Sequence, residues 1–334
     1  MSALLQVEAL EIEVYRDRAW LPAVRDVSFS LADGDCLALV GESGSGKTLT
    51  AMALGGLLGP GGRVRAGRIL FRDLDLTRAH PEQARQLLGR AIGFVFQDPG
   101  SALDPTMPIG KQIAESLQAH GVGNPRSRRQ QAAELLGRVG IPDAHRRLDD
   151  YPHEFSGGMC QRAVIASALI AGPDLLIADE PTSALDVTVQ AQILELLAEL
   201  RAELGLAVVF ITHDLAVARA VADRVGVMYA GRLLELGPAA TILSQPDHPY
   251  SQALLALAPR LDSGRILPQP IPGAPIAPWQ AGPGCPFAPR CRFRQHECEL
   301  GEFPGLPASD EHGSACIIPL ASRQPHPAPL EALR

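Results

Sequence analysis

The residue pattern with the clearest chemical meaning is an eight-residue loop that begins at Gly41. In order, its members are Gly41, Glu42, Ser43, Gly44, Ser45, Gly46, Lys47 and Thr48. They fit G-x-x-x-x-G-K-[ST], the phosphate-binding P-loop, in which glycines let backbone N–H groups wrap around an anion. We expect Lys47 to reach the β- and γ-phosphates of a nucleotide and the Thr48 hydroxyl to bind Mg²⁺.

Four polar residues at the ends of apolar segments could complete a hydrolytic site. They are Gln97, Asp179, Glu180 and His213. We predict that Asp179 holds Mg²⁺ through water and that Glu180 polarises the water that attacks the γ-phosphate. His213 would orient that water and the phosphate, and Gln97 would bind the metal and the water. Each residue alone is ordinary, because a strand-end acid is usually a solvated turn, so the prediction rests on their occurrence together with the P-loop.

The elements that must position these residues are short apolar runs separated by helical segments. The runs predict strands over residues 36–40, 91–96, 175–180 and 206–212. Such alternation predicts an α/β fold with a parallel sheet covered by helices on both faces. Ligands of these sheets gather beyond the carboxyl ends of the strands. One crevice can therefore collect the P-loop and the four polar residues.

Other segments predict additional layers around this sheet. Residues 1–35 alternate apolar and polar side chains and predict antiparallel strands, and residues 60–76 and 225–236 predict hairpins. Residues 98–162 show helical periodicity broken by prolines and predict a helical insertion. The expected fold is therefore a P-loop α/β fold with a mixed sheet, an antiparallel β subdomain and a helical subdomain.

Composition excludes several classes of protein. The 334 residues carry a net charge of −7, so no general basic surface predicts nucleic-acid binding. No apolar run approaches the roughly 18–20 residues needed to span a bilayer. The N-terminal residues lack the basic start and apolar core of a signal peptide, which predicts an intracellular protein. In that compartment the six cysteines are expected to be thiols or metal ligands rather than disulfides.

Three further motifs make the chain resemble the ABC ATPases. The segment Phe155–Met159 resembles their LSGGQ signature, with Phe for Leu and Met for Gln, Ser183–Asp186 resembles the D-loop, and Thr212–Asp214 resembles the switch-histidine segment. Residues 1–245 thus resemble an ABC nucleotide-binding domain, with 98–162 as its helical subdomain. The resemblance implies that two such domains sandwich two ATP molecules. The signature of one domain, here Ser156, Gly157 and Gly158, would cap the γ-phosphate held by the P-loop of the other.

The adenine ring of the nucleotide needs a stacking partner. The resemblance implies an aromatic residue upstream of the P-loop. Tyr15 and Trp20 are both candidates, and the sequence does not choose between them. Either ring is as consistent with an ordinary packed strand residue.

The C-terminal part narrows the resemblance. Pro246–Leu255, which contains His248, Pro249 and Tyr250, resembles the HPY segment of ATP-binding subunits from dipeptide and oligopeptide permeases. Ile271–Gly273 and the proline-rich stretch after it fit the same group. We therefore predict a C-terminal extension over 246–321 and a flexible tail over 322–334.

Four cysteines in this extension predict a metal site. They are Cys285, Cys291, Cys298 and Cys316, in a region with few apolar residues and many prolines. Zinc sites more often use C-x₂₋₄-C pairs, which these cysteines lack. Members of the permease group carry a [4Fe–4S] cluster at matching cysteines, so the resemblance implies a structural cluster here, with Zn²⁺ or free thiols as alternatives. Cys36 and Cys160 are predicted to be packed core residues.

The resemblance implies an import motor. The chain would hydrolyse ATP at the cytoplasmic face of the bacterial inner membrane, together with a second, non-identical ATPase subunit and two transmembrane permease subunits. An extracellular or periplasmic peptide-binding protein would act indirectly, and Pro99–Gln118 would receive a coupling helix of a permease. Related importers carry nickel or glutathione. A soluble ABC protein acting on DNA or ribosomes would need a basic surface or tandem ATPase halves, and a non-hydrolysing module would not need Glu180 and His213.

Overall fold

Two β-sheets organise the chain, as seen in a computed structural model that describes residues 3–183, 185–257, 270–306 and 312–323. The strands are β1 (Leu5–Arg16), β2 (Ala19–Leu31), β3 (Cys36–Val40), β4 (Gly62–Phe71), β5 (Leu74–Asp75), β6 (Ile92–Val95), β7 (Leu175–Asp179), β8 (Ala207–Thr212), β9 (Arg224–Tyr229), β10 (Arg232–Pro238) and β11 (Gly313–Ser314). Each of the four strands expected at the site is present, within one residue or so of its predicted ends.

The larger sheet has the order β11-β10-β9-β3-β8-β7-β6. Strands β9, β3, β8, β7 and β6 run parallel, whereas β10 is antiparallel to β9 and β11 is antiparallel to β10. Every residue of β3, β7 and β8 is buried. Helices cover one face of these strands, as predicted, whereas the other face packs against one helix and the smaller antiparallel sheet, so neither face meets solvent. The predicted mixed sheet is confirmed.

The helices lie around this sheet. They are α1 (Lys47–Leu54), α2 (Pro81–Leu87), α3 (Pro99–Ala102), α4 (Ile109–Ile113), α5 (Glu115–Ala119), α6 (Pro125–Arg138), α7 (Ala144–Arg147), α8 (Gly157–Leu169), α9 (Val187–Leu204), α10 (Leu215–Val221), α11 (Ala239–Ile242), α12 (Pro249–Leu257) and α13 (His296–Leu300). Single 3₁₀ turns occur at Pro152–Glu154, Pro278–Gln280, Ala288–Arg290 and Leu320–Ser322. None of these described helices has the length and apolar character required to cross a membrane.

The smaller sheet is antiparallel and has the order β2-β1-β4-β5. Its pairing confirms the antiparallel strands predicted for the N-terminal region. Bulges interrupt the β1–β2 register, for example between Val7 and Leu10. Apolar side chains of this sheet, such as Val7 and Phe71, share one buried cluster with Leu39 of β3 and Leu54 of α1. The small sheet is thus packed against the elements on either side of the P-loop.

The helical insertion is made of short helices. Prolines and tight turns divide residues 98–156 into α3 to α7 and one 3₁₀ turn. Only α6 reaches 14 residues, and Asn124 caps it by accepting a hydrogen bond from Ser127 N–H at 2.9 Å. Side chains of this insertion, including Ile113 and Leu136, share a core with α8 and α9. The insertion therefore holds the start of α8 in place.

The C-terminal extension is built into the main sheet. Strand β11 pairs with β10 through Glu235↔Ser314 and Leu236↔Gly313. Phe287 and Tyr250 from the extension share a buried cluster with Val40 at the end of β3. The extension therefore contacts the strand that leads into the P-loop. Of the predicted flexible tail, residues 324–334 lie outside the described part of the chain.

Candidate functional site: a nucleotide crevice at the ends of the parallel strands

The phosphate loop connects β3 to α1 and is organised around Lys47. The Lys47 Nζ donates hydrogen bonds to the carbonyl oxygens of Gly41 (2.8 Å) and Glu42 (3.0 Å) and lies 3.3 Å from Ser45 Oγ. Only 5% of Lys47 is exposed. Burial lowers the pKa of Lys47, and the nearby carboxylates of Glu180, Asp179 and Glu42 oppose this effect. The ammonium group is thus fixed at the centre of the loop.

Two glycines explain why this loop requires its sequence. Gly41 has φ +150°, and a Cβ there would lie 2.1 Å from the carbonyl oxygen of Met228. Gly46 has φ +104° and immediately precedes α1. A larger residue at Gly41 would clash with the backbone of β9, so the loop could not turn toward the helix N-terminus.

The oxygens expected to hold Mg²⁺ meet between α1 and β7. Thr48 Oγ1 lies 3.2 Å from Asp179 Oδ1, and it donates a hydrogen bond to that carboxylate. Asp179 is 4% exposed at the end of its strand. Burial raises the pKa of Asp179, and the hydrogen bond from Thr48 opposes the rise. A hydroxyl and a carboxylate are hard oxygen ligands, so this pair fits Mg²⁺.

Glu180 lies between the other two predicted residues. Its Oε2 accepts a hydrogen bond from Gln97 Nε2 at 3.1 Å, and its Oε1 lies 3.2 Å from His213 Nδ1. The Glu180 backbone is left-handed, with φ +45°, and its N–H donates to Ile211 O at 3.0 Å. Such a conformation costs energy for a residue with a side chain and is found at functional sites more often than elsewhere. The left-handed backbone turns the chain sharply after Asp179. As a result Asp179 contacts Thr48, whereas Glu180 contacts Gln97 and His213.

The signature segment forms the start of α8. Ser156 caps this helix by accepting a hydrogen bond from Met159 N–H at 3.3 Å. A Cβ on Gly158 would lie 2.7 Å from Val189 Cγ1 of α9, so a side chain is excluded there. Ser156 and Gly157 are exposed. The described hydrogen bonds of Ser156 stay within its own helix, so the N-terminus of this helix is open at the surface. Ala184 of the D-loop segment lies outside the described residues.

The two aromatic candidates for adenine stacking differ in their surroundings. Tyr15 is 53% exposed, whereas the Trp20 ring carries the Arg63 guanidinium 4.2 Å from its centroid. The two rings also contact each other, with centroids 5.3 Å apart. Tyr15 therefore has the freer ring face of the two.

The four extension cysteines line one small cavity together with His248. Burial raises the pKa of Cys285 to about 12 and that of Cys291 to about 11, and the neighbouring thiols contribute to both rises. Within the described residues, no group of three or more His, Cys, Asp or Glu side chains is placed to hold a single metal ion. The cysteines thus share a cavity without converging on one point. Cys36 and Cys160 are buried, as predicted.

The extension contacts the phosphate loop directly, and the sequence motifs did not indicate this contact. Arg290, in the turn between Cys285 and Cys291, forms an ion pair with the Glu42 carboxylate at 2.6 Å. The two residues are 248 positions apart, so no local pattern indicates the contact. The one hint in the sequence was the position of Arg290 between Cys285 and Cys291, because a charged residue is not required for cysteines to bind a metal.

Two parts of the chain match known protein families. Residues 24–183 match the ABC transporter family, and residues 234–298 match the C-terminal region of oligopeptide and dipeptide transporters. The second match includes Tyr250 and three of the four extension cysteines. These matches agree with the two resemblances drawn from the motifs.

Individual proteins resemble the chain over most of its length. The dipeptide transport ATP-binding protein DppD of Bacillus subtilis (strain 168) is 46% identical over 320 residues, which cover 95% of this chain and 95% of that protein. DppD of Escherichia coli (strain K12) is 43% identical over 318 residues, with 95% and 97% covered.

Solved structures share the fold. The dimeric ATP-binding cassette MJ0796, in a post-hydrolysis state bound to ADP and Pi, superposes with a TM-score of 0.63 at 26% identity, covering 70% of this chain and 98% of that chain. The cassette fold therefore accounts for most of the described structure, and the remainder corresponds largely to the extension. From its family matches and its two full-length relatives, the chain belongs to the ABC transporter ATPases of the dipeptide and oligopeptide importer family.

Proposed function

We propose that this chain is the ATP-hydrolysing subunit of a bacterial importer for dipeptides and oligopeptides. The observation that carries the proposal is the convergence of Thr48, Asp179, Glu180 and His213 beside Lys47 at one edge of the sheet. This set can bind a triphosphate, hold Mg²⁺ and activate water. The peptide cargo is inferred from the relatives named as dipeptide transport ATP-binding proteins.

In this proposal each residue of the site has one role. Lys47 and the loop N–H groups would bind the β- and γ-phosphates, while Thr48 and Asp179 would hold Mg²⁺, which stabilises the charge that develops during phosphoryl transfer. Glu180 would accept a proton from water as the water oxygen bonds to the γ-phosphorus. The bond between that phosphorus and the β–γ bridging oxygen breaks, giving ADP and phosphate. Gln97 and His213 contact Glu180 and would keep its carboxylate and the water aligned.

A second ATPase subunit would complete the site. Ser156, Gly157 and Gly158 form the open N-terminus of a 13-residue helix, where backbone N–H groups and the helix dipole favour an anion. They would cap the γ-phosphate held by the P-loop of a second, non-identical ATPase subunit. ATP would then close the pair and hydrolysis would reopen it. Closure would be transmitted to two transmembrane permease subunits through Pro99–Gln118, at the cytoplasmic face of the inner membrane.

Reconstitution tests this assignment. The full chain is co-expressed with membrane subunits identified by copurification, and ATP hydrolysis and labelled-peptide uptake are measured in vesicles with the extracytoplasmic binding protein. We expect recruitment to the membrane and hydrolysis that rises when a dipeptide is supplied. Uptake of nickel or glutathione in place of peptides would redirect the substrate assignment. Equal turnover by the isolated chain with no recruitment would favour a soluble ABC ATPase instead.

We also propose that the four extension cysteines hold a [4Fe–4S] cluster with a structural role. Zn–S bonds of about 2.3 Å would require four sulfurs within about 4 Å of each other. The described thiols share a cavity but are not placed around a single ion. What supports the proposal is that all four cysteines line one cavity and that Fe–S clusters are held by four cysteine thiolates. The cluster would require these thiols as thiolates, and it would cross-link a region with few apolar contacts.

Anaerobic purification tests the cluster. We expect brown protein with broad visible absorbance and about four iron atoms per chain, and we expect Cys291→Ser to lose the absorbance. Cys160→Ser is the matched control, since Cys160 is buried in α8 away from the cavity, and this variant should keep the colour. Colourless protein with one zinc ion per chain would change the assignment from a cluster to Zn²⁺. Wild-type protein that is folded without any metal would contradict both assignments.

A further inference from the structure

The residue after the first glycine of the P-loop is held by the C-terminal extension. Both carboxylate oxygens of Glu42 accept hydrogen bonds from Arg290, at 2.6 Å from Nη1 and 3.1 Å from Nη2. The Glu42 N–H donates to the Tyr250 hydroxyl oxygen at 2.9 Å. The Glu42 carbonyl oxygen accepts from Lys47. That carbonyl oxygen also accepts from Ser45 N–H at 3.2 Å. Every polar group of Glu42 is therefore bound, and two of its four partners among the described residues come from the extension.

Arg290 is buried and held in one orientation by its other hydrogen bonds. Its side chain is 4% exposed, and its remaining donors go to the carbonyl oxygens of Pro272 (2.9 Å) and Ile271 (3.3 Å) and to the Tyr229 hydroxyl (3.3 Å). A buried arginine with all its N–H groups bound has one orientation, so its fork meets the carboxylate in a fixed geometry. The turn that carries it, Ala288–Arg290, lies between two of the cavity cysteines.

Tyr250 is equally fixed. It is fully buried and its ring packs on Tyr229 and Phe287, with centroids 4.7 Å and 5.1 Å away. Its backbone N–H donates to His248 Nδ1 at 3.1 Å. The hydroxyl thus reaches Glu42 from a rigid aromatic cluster. Arg290 and Tyr250 approach the same loop residue from two separate segments of the extension.

The negative charge of Glu42 explains why a buried arginine contacts this loop. A loop that binds a triphosphate should not carry a free carboxylate, because like charges at close range oppose binding. A bidentate arginine cancels that charge and also orients the loop. We propose that Arg290 and Tyr250 are positioning residues for ATP binding, which act through Glu42 by neutralising its carboxylate and fixing its backbone in the phosphate loop. The inference rests on the proposed ATP site, and it requires neither peptide transport nor a cluster.

A double-mutant cycle on the full-length chain tests the proposal. Equilibrium titration with ATP and with adenosine gives Kd values for wild type, Arg290→Gln, Glu42→Gln and the double variant. We expect R290Q to raise the Kd for ATP about tenfold or more, because it leaves the negative charge of Glu42 without its cation in a loop that binds a triphosphate. Adenosine should bind unchanged, since it carries no charge. Adding E42Q to R290Q should restore most of the ATP affinity.

Two further variants keep the test decisive. Tyr250→Phe removes only the hydroxyl bond to Glu42 N–H, and we expect about a two- to fivefold weaker ATP affinity. Arg294→Ala is the matched control, since this arginine lies in the same region in an exposed pair with Glu299 at 3.7 Å, and it should not change the Kd. If R290Q does not fold, the double variant and Y250F still report on the contact.

The outcomes separate this inference from the proposed function. Wild-type protein that does not bind ATP would overturn both. ATP binding that is the same in R290Q, Y250F and wild type, or equal losses in R290Q with and without E42Q, would overturn the positioning role and leave the ATPase assignment intact. Loss of adenosine and ATP binding together in R290Q would show a general folding defect, and it would also count against the charge argument.

Discussion

Replacing Glu180 by glutamine is expected to lower the ATP turnover rate by about a hundredfold or more while leaving ATP binding intact. The substitution keeps the size of the side chain but removes the proton acceptor for the attacking water. Gln97 and His213 would still contact the amide, so the pocket should not collapse. With hydrolysis blocked, bound ATP should keep two ATPase subunits closed, which a larger species in size-exclusion chromatography with ATP would reveal.

The matched control for this prediction is Glu199→Gln. Glu199 is exposed on α9 and has no role in the proposed site. Glu199→Gln therefore removes the same charge as Glu180→Gln without changing the crevice. Phosphate release should be unchanged in this variant. Turnover at the wild-type rate in Glu180→Gln would remove Glu180 from the role of general base, and it would point instead to water activation by another group at the strand ends.

The crevice was predictable because its signals are local. A fully buried parallel strand is written as a short apolar run, as in Leu175–Ala178, and the residue that follows it lies at the ligand-binding edge of the sheet. The P-loop carries its turn chemistry in its glycines, and Gly41 shows the backbone approach that excludes any side chain. The meeting of Asp179, Glu180 and His213 can therefore be predicted from the positions of the strand ends, without information on long-range packing.

The coupling of the extension to the site was not predictable for the opposite reason. The pairing of Glu235 with Ser314 and the ion pair of Arg290 with Glu42 join residues 79 and 248 positions apart. No hydrophobic periodicity, turn motif or capping motif in the sequence indicates either contact. The short helices of the insertion were also indistinct, since prolines break their periodicity before an amphipathic face can repeat. Such contacts depend on which surfaces meet after the local elements have formed.

Removing the ammonium group at the centre of the phosphate loop is expected to have the second large effect. In Lys47→Ala we expect the Kd for ATP to rise about a hundredfold or more, because the variant loses a charge-assisted contact to the phosphates. Two backbone carbonyls, those of Gly41 and Glu42, would also lose their buried donor. The loop should therefore lose both its charge and its shape. Equilibrium titration with ATP measures the effect, and adenosine should show little change.

Lys111→Ala provides an unusually clean control, because Lys111 is the only other lysine in the sequence. It is exposed on α4, so its removal changes the net charge equally without touching the loop. ATP affinity should match wild type in this variant. ATP binding and dimer closure that survive in Lys47→Ala would mean that the phosphates are held elsewhere. The roles assigned to Thr48, Asp179 and Glu180 would then have no nucleotide to act on, and the charge pairing of Glu42 with Arg290 would lose its purpose.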